Sequence, residues 1–431
     1  MMTLTGRAGL LALAGGLVIA VFGTGIASLI VNGVILAALA ADVMLAASIA
    51  DLEVSRSGDA KIHLGQSGTT AVTVINSGRR QLRGIVRDGW RPSAGANPSR
   101  SKIDLTRGRR ATVATTLTPR RRGDIAAGLV TIRSLGPLGL AGRQRSLAAP
   151  WTVRVLPQFL SRKHLPEKLA RLRELDGQHR SMIRGQGSEF DSLRAYVLGD
   201  DVRSIDWRSS ARRADVLVRT WRPERDRRIV IVLDTGRTSA GRVGGVPRLD
   251  ASMDAALLLT ALAVRAGDRV DLIAADRRVR TRVVGAGRQD VLAAFTSEMA
   301  LLEPDLIDPD IGLIMATVLG IARQRCLVVL LTDLNPAAIE EALLPHVQLL
   351  SSRHQVVLAA VADPRVAEMA TGRGDTTAVY AAAAAVTGQA ERSHTAALLG
   401  RHGVDVVDAP PDRLAPALAD AYLSLKAAGR L

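Results

Sequence analysis

Apolar and polar positions divide the chain into stretches of different period. Residues 8–50 are 43 residues with a single charge, Asp42, about twice the ~20 apolar residues that one helix needs to cross a bilayer. That length predicts two membrane-spanning helices, near residues 8–22 and 26–48, with the break at Gly23-Thr24-Gly25, because backbone groups in lipid must be bonded within the segment. A cleaved signal sequence is the rival reading, since Ala38-Leu39-Ala40 mimics a small-residue cleavage site. The apolar run ahead of that site is about twice the ~15-residue limit for such a segment, which favours retained spans. Residues 51–157 change to short alternating runs such as TTAVTVINSG, LRGIVRDGW and RATVATTLTP, separated by Gly, Pro, Ser and Arg clusters. This period predicts a β-sandwich-like domain. Residues 158–227 open on an amphipathic stretch, LPEKLARLREL, read as a linker helix. From 228 to 431, uninterrupted apolar runs (RIVIVLD, RVDLIAAD, CLVVLLTD, QVVLAAVAD, VDVVDAP) alternate with helical periods. Such runs mark a mostly parallel sheet covered on both faces. The expected architecture is therefore multidomain: a helical hairpin, a β-sandwich-like domain and a doubly wound α/β domain.

Charge separates the last two domains. Residues 51–227 hold 35 Lys+Arg against 17 Asp+Glu, whereas residues 228–431 hold 21 against 23, so the net charge of +16 resides in the middle of the chain. A field of that sign attracts nucleic acid or anionic lipid headgroups. Aromatic residues are only 3%, which leaves few stacking platforms and disfavours nucleic acid, so membrane lipids are the expected partner of this surface. The turn of the hairpin carries no positive charge, while Arg7 precedes it and Arg56 and Lys61 follow. This asymmetry places both ends, and the soluble domains, on the cytoplasmic side of the cell membrane. The single cysteine, Cys326, lies in an apolar run and reads as a buried thiol.

The densest chemistry is GQGSEFDSLRAYVLGDDVRSIDWRSSARRADVLVRTWRPERDRR, residues 185–228. It mixes acids and arginines in similar number around Phe190, Tyr196 and Trp207. Paired carboxylates are one use of such a cluster. The other is structural: planar Arg–carboxylate forks pin a nonrepetitive segment, with the aromatics as apolar anchors. The seven histidines form no HExxH pattern, and no GxxxxGK[ST] loop is present, so neither a zincin nor a P-loop is encoded. Among the acids, Asp200, Asp201 and Asp206 are the candidates for an alternative reading, a metal-dependent hydrolase acting on an anionic envelope substrate.

Gly185, Gly187, Glu189, Phe190, Leu193, Arg194, Tyr196, Gly199, Asp200, Asp201, Arg203, Ile205, Asp206, Trp207, Ala211, Arg212 and Glu224 resemble the signature of a bacterial family known as domain of unknown function 58. The resemblance implies a membrane-anchored protein with a von Willebrand A-like C-terminal domain, usually paired with a MoxR-type AAA+ ATPase. By that analogy the protein is an adaptor or co-chaperone presenting a client protein, and not an enzyme. The signature residues Glu189, Phe190, Arg194, Tyr196, Gly199, Asp200, Asp201, Arg203, Asp206, Trp207, Arg212 and Glu224 would then serve docking.

A von Willebrand A-like sheet holds a divalent cation at its carboxyl edge. Here Asp234 ends the first apolar strand, Thr238 stands for one loop hydroxyl, Gly236 replaces the other, and Asp333 is the late aspartate. Magnesium, which takes hard oxygen ligands, is the candidate cation. The intervening loop offers Asp308 and Asp310 but no threonine. The competing reading has Asp234 and Asp333 capping the loops and helix starts that follow their strands.

Overall fold

The computed structural model describes residues 1–182, 189–198, 200–212, 215–222, 227–285, 287 and 290–431. Over these, side chains are described except for 176–182, 189–192 and 220–222. The chain forms two compact units, Met1–Leu156 and Pro157–Leu431.

The first unit opens with a short strand, Met2–Leu4, followed by helices α1 (Gly6–Phe22) and α2 (Gly25–Leu45). The helices turn at Gly23, which takes the left-handed conformation (φ 59°), and at Thr24, whose hydroxyl caps α2 by accepting from the Ala27 amide at 3.2 Å. They pack closely: a Cβ on Gly15 would lie 2.8 Å from Ile35 Cδ1 and 2.9 Å from Val31 Cγ1. With 21 residues and mean hydropathy 2.1, α2 is long and apolar enough to cross a membrane, and 11% of it is buried within the protein. The 17 residues of α1 fall at the short end of the ~17–25 that a span requires.

Both ends of this hairpin return to one place. Met2–Leu4 pairs antiparallel with the strand Ala141–Leu147. Asp42, fully buried near the end of α2, accepts hydrogen bonds from the amides of Leu138, Leu140 and Ala141 at 2.8, 2.7 and 2.8 Å. A carboxylate near the end of an apolar span ordinarily reaches for the membrane interface. Instead the carboxylate is enclosed by a backbone loop that leads into the same strand.

The rest of the unit is β-structure. A five-stranded sheet and a three-stranded one (Leu52–Gly58, Gly68–Asn76, Arg110–Leu117) face each other. The alternation of Gly68–Asn76 points Val72 and Val74 inward, against Leu82, Val86, Val130 and Ile132 of the opposing sheet. Between the layers lies a buried ion pair that no sequence pattern announced. Arg56 reaches Asp88 at 2.6 Å, with side-chain exposures of 0% and 1%. The guanidinium also donates to the carbonyls of Ala149 and Gly128, Trp90 Nε1 donates to Asp88 at 2.8 Å, and Arg56 stacks 5.4 Å from the Trp90 ring centroid. Every polar group of the pair thus has a partner, which a buried charge requires.

The second unit begins with α3 (Leu165–Met182). The sequence presents its start as a linker, but α3 belongs to the domain body. Leu172 enters the core, and Lys168, 5% exposed, pairs with Asp420 at 3.0 Å. Six of the strands that follow build the large sheet: β1 (Arg228–Asp234), β2 (Arg269–Ala275), β3 (Val279–Val283), β4 (Leu327–Leu331), β5 (Gln355–Val361) and β6 (Val404–Ala409). They form one sheet in the order β3-β2-β1-β4-β5-β6, parallel except for the antiparallel edge pairing of β3 with β2. The continuous apolar strands serve two cores. Ile229, Ile231 and Leu233 join one cluster with helices α4 (Arg248–Arg265) and α8 (Pro411–Ala427). Val230 and Val232 join the other with α5 (Ile311–Ile321), α6 (Leu344–Arg353) and the end of α7 (Thr376–Arg401). Strand order reverses between β1 and β4, which makes a crevice at their carboxyl ends, the place where open α/β sheets bind ligands.

Candidate functional site

The signature folds as a hairpin, Glu189–Ala195 against Leu217–Arg222, with its acids used inside the connection. Asp200 grips Arg194 through two bonds, 2.7 and 2.5 Å, and takes the Val197 amide at 2.9 Å. The Arg194 fork, then the Val197 amide, hold the Asp200 carboxyl below the usual range. Asp201 caps the turn Val202–Ser204 by accepting from the Arg203 amide at 2.9 Å. Asp206 caps Trp207–Ser210 through the Ser209 amide at 3.0 Å and holds Arg219 at 2.9 Å. That amide, followed by Arg219, lowers its pKa too. All three carboxylates are engaged by local donors, and the lowered pKa values of Asp200 and Asp206 favour their charged forms, an arrangement that suits turn formation and not proton transfer.

The aromatic anchors need correction. Trp207 is 67% exposed, and Val197, Leu198 and Val202 are 60%, 96% and 62% exposed. The hairpin connection therefore presents apolar side chains outward. Arg203 and Arg212 are also exposed, and Tyr196 is half-buried. Glu189 and Phe190 lie in the first strand with side chains outside the described residues, as are Gly185, Gly187, Gly199 and Glu224 altogether.

At the crevice of the large sheet, Asp234 ends β1 and is 5% exposed. Its carboxylate accepts from Thr332 Oγ1 at 2.7 Å, the Gly236 amide at 2.7 Å and Thr238 Oγ1 at 3.1 Å. Burial pushes its pKa up, and those three bonds pull the other way. Gly236 takes the place expected for a loop hydroxyl residue, and a Cβ there would sit 2.9 Å from the Ile307 carbonyl and 3.0 Å from Asp234 Oδ1. Of the expected set, Asp234 and Thr238 meet, but Asp333 does not join them. It binds Arg248 and Arg392, each at 2.7 Å, one per carboxylate oxygen. Burial works against the charge of Arg392, yet Asp408 and Asp333 hold its pKa above the ordinary arginine range.

Thr332, adjacent to Asp333, is the residue that completes the Asp234 cluster. Asp276 is a third carboxylate at this edge, fully buried, bonded to Thr235 at 2.8 Å and paired with Arg280. Its position was legible, since RVDLIAAD ends on it, but only Asp234 and Asp333 stood out beside the loop pattern. Asp308 pairs with Arg237 at 2.6 Å, and Asp310 caps α5 through the Leu313 amide at 2.9 Å.

Among the described residues, no three His, Cys, Asp or Glu side chains gather as a metal set. One carboxylate with two hydroxyls, beside a second carboxylate already neutralised by two guanidiniums, does not suit magnesium, which calls for several oxygen ligands. What the edge does hold is a cavity of about 310 Å³. Asp234, Thr238, Thr332 and Asp333 line its polar wall together with Arg237, Asp308, Asn335 and Glu341, and Ile314, Met315, Ile339 and Leu343 are part of its apolar one. Part of that wall is a π-helical turn, Ala338–Leu343, a distortion frequent at functional sites.

Two relatives match over 198 residues at 28% identity: uncharacterised proteins of Mycobacterium bovis and Mycobacterium tuberculosis. The match covers 45% of this chain, which spans 61% of the length of those relatives. Proximal thread matrix protein 1 from the mussel byssus overlaps 47% of each chain at 13% identity, with a TM-score of 0.27, an overlap from which nothing about this chain follows. Residues 192–386 of this chain match, and belong to, the family described as "Protein of unknown function DUF58".

Proposed function

We propose that this protein is a membrane-anchored, non-enzymatic adaptor or co-chaperone that acts with a MoxR-type AAA+ ATPase through a von Willebrand A-like domain. The observation that carries this reading is the division of labour among its acids. Asp200, Asp201 and Asp206 are spent on turns, while the switch-point crevice keeps a shaped cavity lined by the buried Asp234 and by Asp333, a form suited to holding a partner's side chain. The outward Trp207, Leu198 and Val202 supply the apolar contact area that docking needs. The anchor in this reading is multi-pass, a hairpin both of whose ends return to the strand Ala141–Leu147. Soluble domains on the cytoplasmic side fit the basic residues at that end. The hydrolase alternative draws no support from Asp200, Asp201 or Asp206, whose oxygens are engaged by Arg194, the Arg203 amide, the Ser209 amide and Arg219.

The test is affinity capture of the tagged full-length protein from detergent-solubilised native membranes in magnesium and ATP, with mass spectrometric identification. We predict recovery of an AAA+ ATPase, and a loss of about tenfold or more in Trp207→Ala, as for the removal of an exposed aromatic hot spot. Capture of no ATPase by a folded, membrane-inserted protein would overturn the reading.

A further inference from the structure

The foot of the hairpin carries a second cavity, polar and about 710 Å³. It starts at Met44, the penultimate residue of α2, and extends over the loops that follow. Its walls hold charges of both signs: Arg79, Arg80 and Arg143, with Asp51 and Glu53. Two of the arginines are fixed by the end of the apolar helix. Arg143 Nε donates to the Val43 carbonyl at 3.1 Å, and Arg80 donates to the Met44 carbonyl. Carbonyls of a last helical turn lack partners within the helix and carry its negative dipole end, so guanidiniums are their natural cap. The side chains of Arg79 and Asp51 are exposed and make no bond among the described residues. Met44, at the rim, is 68% exposed, and its neighbour Leu45 52%.

A helix that spans a bilayer ends at the headgroup layer. A cavity that begins in its last turn, with an apolar rim, lies at the depth where phosphates and their substituents sit. We infer that this cavity binds a phospholipid headgroup of the zwitterionic phosphoethanolamine type, its phosphate on Arg79 and the free edges of Arg80 and Arg143, its ammonium on Asp51 and Glu53. Arginine matches phosphate through a planar fork. The two carboxylates favour a headgroup that also brings a hydrogen-bond-donating cation over one that is only anionic. The inference rests on the hairpin lying in a bilayer, as proposed above.

The test uses the full-length protein in detergent micelles, titrated with short-chain phosphatidylethanolamine, phosphatidylcholine, phosphatidylglycerol and inorganic phosphate, with bound lipid counted by native mass spectrometry. Phosphatidylcholine has the same charges but cannot donate from its trimethylammonium. Phosphatidylethanolamine should bind about tenfold more tightly than either other lipid, the value of one charge-assisted hydrogen bond. Asp51→Asn should bring it to the phosphatidylcholine level, and Arg79→Gln should weaken all three lipids. Equal binding of phosphatidylethanolamine and phosphatidylcholine would overturn the assignment, as would preference retained in both variants. Inorganic phosphate competing at equal concentration would make this a site for the free ion and overturn it as well. Circular dichroism checks that both variants fold. Alkaline carbonate extraction of native membranes reports insertion separately. Release of the protein there refutes the anchor, whereas an inserted protein without headgroup preference refutes only this inference.

Discussion

Asp88 and Asp234 show how differently two buried carboxylates can stand in one chain. Asp88 accepts from Arg56 and Trp90, and Arg56 donates in turn to the Ala149 and Gly128 carbonyls, so the pair is satisfied as a unit. Removing one partner strands the other. Arg56→Ala should cost the β-domain about 3–5 kcal/mol, the usual penalty for an uncompensated buried charge, read as a lowered thermal midpoint of the full-length protein; a neutral result would mean that water reaches the site. Among the described residues Asp234 has no cationic side chain bonded to it and is held by two hydroxyls and an amide. Because burial raises its folded pKa, the folded state binds its proton more tightly than the unfolded chain does. Stability from this group is present below the unfolded aspartate value of ~3.9 and declines as pH climbs from there through the folded pKa. The stability difference between Asp234→Asn and the wild type should therefore move in favour of the variant across that window, measured by denaturant titration at a series of pH values. A difference independent of pH would refute the raised pKa.

Among the elements, the hairpin depends on a contact that its own sequence does not contain. Asp42 caps the loop Leu138–Ala141 and so ties the end of α2 to the strand that also receives Met2–Leu4. Asp42→Ala should cost about 2–3 kcal/mol, as for hydrogen bonds to a charged group, and should speed amide exchange at Leu138, Leu140 and Ala141. Unchanged protection at those three amides would show that the loop holds itself. The helices themselves were legible: Gly23 supplies the left-handed turn, and the apolar run makes α2 long and apolar enough to cross a membrane. The large sheet was legible for the same kind of reason, since β1, β4 and β5 are apolar on both faces and each face meets a helical layer. The role of α3 was not, because an amphipathic stripe shows that a helix has a buried side without showing what buries it. The π-turn at Ala338–Leu343 has no periodic signature either.

For the whole molecule, the testable consequence is topology. Cys326 is the only cysteine, and it is buried with its thiol pushed up to about 11 by burial, so it stays unreactive near neutral pH. Single cysteines at Thr24 and Arg107, placed in that background, should label from opposite faces of sealed membrane vesicles with an impermeant maleimide. Labelling of both from one face would exclude a spanning hairpin. By itself the sequence determined the elements and their order. Runs of one polarity and their periods are properties of neighbouring residues, and burial of an apolar face follows from them whatever the fold. The family signature was likewise a local string. Only the tertiary structure decided the partners of the charges. Arg248 and Arg392 reach Asp333 from 85 and 59 residues away, Asp42 finds its amides almost 100 residues on, and Thr332 takes the place beside Asp234 that Asp333 was expected to fill. A carboxylate accepts a cation, a hydroxyl or an amide with equal chemical sense, so the choice belongs to whichever donor the folded backbone delivers.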